Sequence, residues 1–445
     1  MRGIEAALLV WKEVEKGAFA SEKLRAVTAE VAEKERALAA TLVYEALRRK
    51  NLWEYLLEKL SRRPIAELGK DERAALLLGT AGLCALRTFA PAVLVSALVS
   101  EMKRRKGHGA ANFVNAVLRR IVETAPALME DLKSSATLKE FALFRGIPQW
   151  AASLWEREIG GAQTKRLIRL LAMKNFTSLR LASGEDRTAY LEELRCRGIR
   201  AWPSPFLSFC VRTASTLHPP TLPGYAAGRV SLQSESAMLV GNIAASFWKS
   251  GLGILDMCSG RGGKTALLAQ LLPEARIEAW ELSPGRVRAH EREMRRLGLS
   301  ERVRLVQGDA LVLEPEEPPG MVLLDAPCTG SGTWGRHPEG KWRVSERHVS
   351  LCAALQEELL SKAVRIVAPG GYVVYVTCSL FREENEQVVA DVLSRFRNVV
   401  DMPLAAGKPF QKGRPWGAAL WPLLPWIDGF YICVLKKREQ GAAFV

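Results

Sequence analysis

Two cysteines stand where the sequence could do covalent chemistry. Cys328 follows the run Leu323-Leu324-Asp325-Ala326-Pro327, and Cys378 follows Val376-Thr377, so each thiol emerges just past an apolar segment that reads as a core strand. A thiolate is a strong nucleophile toward an electron-poor carbon. Either cysteine alone reads as a buried filler, but two thiols ending neighbouring core strands suggest covalent catalysis. A second feature is the stretch Asp256-Met257-Cys258-Ser259-Gly260-Arg261-Gly262-Gly263-Lys264-Thr265, a glycine-rich loop between a predicted strand and a predicted helix. Such a loop lets backbone approach a ligand closely. It is not a phosphate-binding P-loop, because Cys258 stands where that motif needs its first glycine. Nor is it G-x-G-x-x-G, because Lys264 and Thr265 follow Gly263. The next predicted strand ends in Trp280-Glu281, where an open sheet places a carboxylate to accept from ribose hydroxyls. Taken alone, Glu281 would be an ordinary acid near a helix start. The third strand ends Gln307-Gly308-Asp309, which brings a carboxylate suited to an adenine amino group. A nucleoside fits all three strand ends.

The elements that must hold these residues alternate in type. From about residue 228 to 445 the pattern is strand, helix, strand: Gly253 to Met257, Lys264 to Leu272, Ile277 to Glu281, Pro284 to Leu297, Val303 to Gln307, Met321 to Ala326, Ser350 to Val367, Tyr372 to Thr377 and Glu383 to Arg395. That order predicts a Rossmann-like, doubly wound parallel sheet, closed by a last strand at Gly429 to Leu435. Residues 146 to 227 read as a small α+β connector lobe, with Leu179-Arg180-Leu181 as a short strand and breaks at Pro203-Ser204-Pro205 and His218-Pro219-Pro220. Residues 1 to 145 read as an all-helical domain, with apolar positions such as Ala39, Leu42, Val43, Ala46 and Leu47 at three- and four-residue spacing. The fold class is therefore multidomain: all-α, then α+β, then α/β. The chain has 445 residues. That is long enough for three domains of roughly 150 residues each.

Composition narrows the class of partner. Hydrophobic residues make up 48% and charged residues 25%, which is the balance of a globular chain. The 63 Lys and Arg against 48 Asp and Glu leave a net charge of +15 and a pI near 9.6, which favours a polyanionic partner such as nucleic acid. Basic residues cluster at Arg48-Arg49-Lys50, Arg62-Arg63 and Lys103-Arg104-Arg105-Lys106, an arrangement that points to an RNA-facing surface. The eight cysteines form no Cys-x-x-Cys pair, so no metal is expected. A membrane span needs about 20 apolar residues, and no uncharged run is that long. The short stretch Ala6 to Val10 lacks the apolar core of a secretory signal. A cytoplasmic monomer is expected.

DMCSGRGGKT, LLDAPCTGSG, GRHPEGKW, VYVTCSLFREENEQVV and DGFY closely resemble the motifs of RNA 5-methylcytosine methyltransferases that use S-adenosylmethionine, over roughly Gly228 to Lys437. The first 145 residues, ending near GAANFVNAVLRRI, resemble the NusB-like RNA-binding helical domain. The combination resembles the RsmB (Sun) type, which modifies a cytosine of small-subunit (16S) ribosomal RNA. Gly260-Arg261 departs from the usual Ala-Pro or Gly-Pro, and Gln233-Ser234 from the usual Gln-Asp. The resemblance implies that Cys378 is the nucleophile, Asp325 the acid and Cys328 the group that assists product release. It also implies that Cys258, Ser259, Gly260, Arg261, Gly262, Gly263, Lys264, Glu281, Asp309 and Asp325 hold S-adenosylmethionine.

That chemistry explains the residue types. Carbon 5 of cytosine is too weak a nucleophile to take a methyl group from a sulfonium unaided. Addition of a thiolate to carbon 6, with proton donation at ring nitrogen 3, makes carbon 5 enamine-like. The base must leave its stack or be unpaired to reach such a cleft. Lys341, Trp342 and Arg336, beyond Cys328, are candidates to hold phosphate or stack on a base, against simple packing. Three rivals remain: a P-loop ATPase, which Cys258 argues against; a non-catalytic RNA-binding assembly factor, which the two retained cysteines argue against; and the same chemistry on transfer RNA or another ribosomal position.

Overall fold

The computed structural model describes residues 2–86, 90–173, 175–214, 217, 219–404, 409–412, 415–422 and 425–439. His218, in one of the expected breaks, and residues 440–445 of the expected C-terminal domain lie outside them. The chain divides into two compact units, residues 1–172 with 337–345, and residues 173–336 with 346–445.

The first unit is helical: α1 (Arg2–Glu15), α2 (Ala20–Val27), α3 (Glu33–Arg48), α4 (Lys50–Leu60), α5 (Lys70–Ala85), α6 (Pro91–Ser134), α7 (Leu138–Arg145), α8 (Gln149–Ile159) and α9 (Gly161–Leu171). Helical spacing of apolar residues drives it: α4 buries Leu52, Trp53, Leu56, Leu57 and Leu60 on one stripe. Helix α6 breaks its regular dihedrals at Gly107, which has a φ of 82°. Glycine alone takes that conformation without strain. Thr137 caps α7 by accepting from Glu140 N, and Gly146 ends it at a φ of 72°. The expected connector begins at residue 146, but α8 and α9 pack against one another and onto α7 in this unit, so the α+β part begins later.

A short segment far along the chain completes this core. Lys341 donates to Arg48 O at 2.6 Å, Trp342 Nε1 donates to Leu47 O at 2.5 Å, and Glu339 Oε1 accepts from Ala20 N at 3.2 Å. Lys341 is only 1% exposed. Burial, with Arg48 and Arg49 nearby, holds its amine well below the ordinary lysine range. Lys341 and Trp342 are therefore packing residues, and the phosphate or base contact considered for them is not made.

The second unit opens with an antiparallel four-stranded sheet in the order β2-β3-β1-β4, formed by β1 (Thr177–Leu181), β2 (Ala201–Pro203), β3 (Cys210–Thr213) and β4 (Val230–Leu232), with α10 (Arg187–Cys196) between β1 and β2. Helix α11 (Glu235–Ser246) leads into the large sheet. Its parallel strands are β5 (Ile254–Asp256), β6 (Ile277–Glu281), β7 (Val303–Gln307), β8 (Met321–Asp325) and β9 (Tyr372–Thr377). The crossovers are α12 (Gly263–Leu271), α13 (Pro284–Arg296) and α14 (Glu346–Ile366), and α15 (Glu386–Arg395) follows β9.

The sheet is mixed, not wholly parallel as expected. The edge strands β10 (Val399–Asp401), β11 (Phe410–Lys412), β12 (Ala418–Leu420) and β13 (Phe430–Lys437) complete a nine-stranded sheet, and β13 runs antiparallel to β9 with Tyr431 opposite Thr377. The run Gly429 to Leu435 reads as a strand in the sequence, but its direction is invisible to local pattern. The pieces β10 to β12 are too short to show a period. Core strands read as continuous apolar runs because both faces are covered: every residue of β9 is buried. Among the described residues, no helix is long and apolar enough to cross a membrane.

Candidate active site

The strand order β9-β8-β5-β6-β7 brings the C-terminal ends of five parallel strands side by side. Ligands bind at such strand ends in open α/β sheets. Cys328 and Cys378 follow the adjacent strands β8 and β9, and their Sγ atoms lie 3.3 Å apart. Two motifs separated by 50 residues in the sequence thus form one site. Two backbone bonds lock the loops: Ala326 N donates to Val376 O and Gly332 N to Cys378 O, both at 2.9 Å. The hydrogen bond to Cys378, then burial, raise the Cys328 thiol well above its ordinary range.

Asp325 meets Lys264, with Nζ to Oδ2 at 2.6 Å. Lys264 comes from the glycine-rich loop, so this ion pair ties the loop to the end of β8. Burial works most strongly against the Lys264 charge, but Asp325, joined by Cys378 and Asp256, offsets it and raises the amine. The Lys264 side chain is 11% exposed and that of Asp325 34%, so the carboxylate keeps access to a ligand.

The rest of the loop is held from below. Gly260 and Gly262 adopt φ of 59° and 80°. This is the left-handed region, where glycine alone is unstrained. Glu281 accepts from Gly260 N at 2.9 Å and from Ser283 N at 2.8 Å. Ser259 N donates to Trp280 O, and Gly262 N to Ser259 O. Asp256 is buried: its Oδ2 accepts from Thr265 at 2.6 Å while Oδ1 has no partner. Burial raises its carboxyl to about 7. Burial also pushes the Cys258 thiol up, which makes it a filler and not a reactive group. Arg261 is exposed on the rim.

The expected nucleoside group fits these residues. One Glu281 oxygen holds the loop at Gly260 and the other the turn at Ser283. A carboxylate offers about four acceptor sites, which leaves capacity for ribose hydroxyls. Asp309 is exposed, with Oδ1 on Leu311 N at 2.9 Å. Leu282 and Val312, near these acids in sequence, are 65% and 75% exposed. Apolar surface of that kind packs on an aromatic base. An ideal Cβ at Gly260 would meet nothing within 4 Å, so the turn is open on its ligand side. Among the described residues, no three His, Cys, Asp or Glu side chains gather as a metal site.

Four supporting residues escape the sequence reading. Arg180 of β1 donates to Gly263 O at 2.8 Å and to Gln233 Oε1 at 2.7 Å, and Gln233 Nε2 also reaches Gly263 O at 3.1 Å. The small sheet therefore props the start of α12. His290 of α13 packs beneath Gly262 with Nδ1 3.2 Å from Ser259 Oγ. Glu384, fully buried, accepts from Thr329 N at 2.9 Å and fixes the turn after Cys328; burial raises its carboxyl. Arg180 and Gln233 stand at the ends of short strands of the small sheet, and none of the four ends a parallel strand of the large sheet, the signal that marks the other candidates. Ser234, where the resembled pattern has aspartate, caps α11 by accepting from Ala237 N at 3.3 Å.

The outer basic residues are less free than their sequence clusters suggest. Arg336 is committed to Asp428 at 3.2 Å and to Phe176 O at 3.0 Å, so it is structural and not the phosphate holder considered for it. In the 103–106 cluster, Arg104 pairs with Glu5 and Glu101, and Arg105 and Lys106 with Asp71. Arg48 is buried, whereas Arg62 and Arg63 remain exposed.

Residues 249–436 match the family model described as 16S rRNA methyltransferase RsmB/F, and residues 4–123 match the NusB family. Ribosomal RNA small subunit methyltransferase B of Klebsiella pneumoniae subsp. pneumoniae is 29% identical over 446 residues, covering 98% of each chain. Among solved structures, the crystal structure of PH0851 shares the fold, with TM-score 0.85 and 23% identity over 98% of both chains. A methyltransferase homolog protein from Pyrococcus horikoshii has TM-score 0.58 and 26% identity, over 68% of this chain and 99% of its own. Residues 249–436 are thus similar to the RsmB/F family of 16S rRNA methyltransferases, and residues 4–123 to the NusB family.

Proposed function

We propose that this chain methylates carbon 5 of a cytosine in small-subunit ribosomal RNA through a transient bond between Cys378 and carbon 6. S-adenosylmethionine supplies the methyl group when bound. The loop from Cys258 to Lys264 with Glu281 and Asp309 would hold it. The observation that carries the reading is the 3.3 Å approach of Cys328 and Cys378 beside the Lys264–Asp325 pair. A methyl transfer to a nitrogen or oxygen needs no thiol, whereas transfer to carbon 5 needs one.

Each residue then has a task. The Cys378 thiolate adds to carbon 6, and its electron pair moves through the ring as nitrogen 3 takes a proton through Asp325, whose Oδ2 receives it from the Lys264 ammonium. Carbon 5 becomes nucleophilic and accepts the methyl group. Solvent water takes the carbon 5 proton, the nitrogen 3 proton returns through Asp325 to Lys264, and the freed electron pair restores the ring double bond and expels Cys378 as thiolate. Cys328, held by Glu384 through Thr329, assists that last step. Relatives named ribosomal RNA small subunit methyltransferase B support the choice of RNA. The reading includes a monomer acting in the cytoplasm, and a connector lobe built on the sheet β1 to β4.

The test is methyl transfer from labelled S-adenosylmethionine to unmodified small-subunit RNA and, separately, to transfer RNA, followed by nucleoside analysis. Label in 5-methylcytosine from ribosomal RNA is expected. Label only from transfer RNA would overturn the substrate, and label in neither would favour a non-catalytic assembly factor.

A further inference from the structure

Helix α13 carries a row of positive charge that the site just described does not use. Its inner face buries Val287, His290 and Met294, spaced three and four residues apart. On another edge stand Arg288, Arg292 and Arg295, all exposed. At about 100° per residue these three fall within about 60° of one another and span about 10 Å along the axis. Among the described residues, none of the three guanidinium groups has a hydrogen bond, ion pair or ring partner.

Their neighbours on the same helix differ. Arg286 lies 3.9 Å from Glu281, and Arg296 pairs with Glu293 at 2.5 Å and stacks on Tyr225 at 4.1 Å. Glu291 is exposed beside the row but, among the described residues, forms no ion pair with it. Like charges three and four residues apart weaken a helix, so the row works against the element that carries it. Arginine's planar fork matches phosphate oxygens in pairs.

The row is also close to the chemistry. His290, on the inner face of the same helix, packs against Gly262 and Ser259 of the cofactor loop. We propose that Arg288, Arg292 and Arg295 form a phosphate-contact surface for the RNA substrate, outside the cleft that takes the target base. The proposal rests on the RNA methyltransferase reading and adds to it where the flanking strand is gripped. An acidic protein is the other polyanion such a row could meet, but three unpaired arginines in line suit a regular phosphate backbone better than scattered carboxylates.

The test uses the full chain carrying Arg288→Gln, Arg292→Gln and Arg295→Gln together. Glutamine keeps helix propensity while removing charge. Affinity for unmodified small-subunit RNA is measured over a salt series, with S-adenosylmethionine binding and thermal melting as controls. Loss of three phosphate contacts should lower the slope of log affinity against log salt by roughly 2, and weaken binding at least tenfold near physiological salt. S-adenosylmethionine affinity should stay within about twofold, since none of the three touches the loop. Should the triple change lower the melting temperature, Arg292→Gln alone should remove about a third of that slope change. An unchanged slope and affinity in a folded variant would overturn the surface. Loss of binding to an acidic protein with RNA affinity intact would overturn it too. A wild-type chain that binds no RNA would overturn both the surface and the reading beneath it.

Discussion

Nδ1 of His290 lies 3.2 Å from Oγ of Ser259, and the histidine ring fills the volume that a side chain at Gly262 would need: an ideal Cβ there falls 2.4 Å from His290 Cδ2. The glycine-rich loop therefore rests on a buried imidazole. His290→Ala should weaken S-adenosylmethionine binding about tenfold by calorimetry, because the loop loses both its hydrogen-bond partner and its packing. His290→Asn, which can still reach Ser259, should recover part of the loss; equal binding by all three proteins would show that the loop does not depend on this contact.

The same histidine sets an acid limit. Burial lowers its pKa to about 4, below the ordinary value of about 6.5. The folded state thus binds fewer protons than the unfolded chain between those values, so stability falls as pH drops from about 6.5 toward 4, by about 3 kcal/mol in all. Asp256 has the opposite sign. With its carboxyl raised from 3.8 to about 7, its contribution is full below the unfolded value and is lost as pH rises through 7. Asp256→Asn should therefore raise stability at pH 8, by up to about 4 kcal/mol, and have little effect at pH 4. Urea unfolding at both pH values checks this, and a variant less stable at pH 8 would show that the buried carboxylate is compensated.

The thiols should separate by role. Cys378→Ala should reduce methyl transfer by at least about a thousandfold, since no adduct forms. Cys328→Ala should still transfer the methyl group but leave protein attached to RNA, seen as a band that survives denaturing electrophoresis. Ordinary turnover by Cys378→Ala would refute the mechanism.

Lys264→Met should leave Asp325 without its cation and cut activity at least tenfold, while Lys264→Arg should restore part of it. Comparing kcat with KM for S-adenosylmethionine tells which side of the pair matters. A fall in kcat alone places the pair in the chemical step, and a rise in KM alone confines it to holding the loop.

Lys341 offers a contrast, because its amine is buried in helical packing and donates to a backbone carbonyl. Lys341→Met should leave the salt dependence of RNA binding unchanged while shifting the melting temperature. A lower slope against salt would mean that this amine faces phosphate after all.

What can be read from sequence is whatever has a local signature. Strand ends carrying Asp256, Glu281, Asp309 and Asp325 are legible because β5 to β8 are short apolar runs followed by polar residues, and the helices of the first unit because their period is clear. The antiparallel direction of β13 is not, since direction depends on how the chain returns and not on its own residues. Arg180, Gln233, His290 and Glu384 leave no such signature because the groups they hold lie far along the chain, as with Arg180 and Gly263, 83 positions apart. Lys341 and Trp342 resemble nucleic-acid contacts because a cation beside an indole is ambiguous until its burial is known.

The discontinuity of the helical unit bears on how the protein is made. Residues 337–345 supply Lys341 and Trp342 to a core whose other members end at residue 172. A ribosome adding about 5–20 residues per second needs roughly 10–30 s to cover the stretch between them. Throughout that interval the nascent helices lack their last packing partner, and Leu47 O and Arg48 O lack the donors they will receive. The N-terminal unit is thus synthesised first but completed late, only once most of the second unit's parallel strands have left the ribosome.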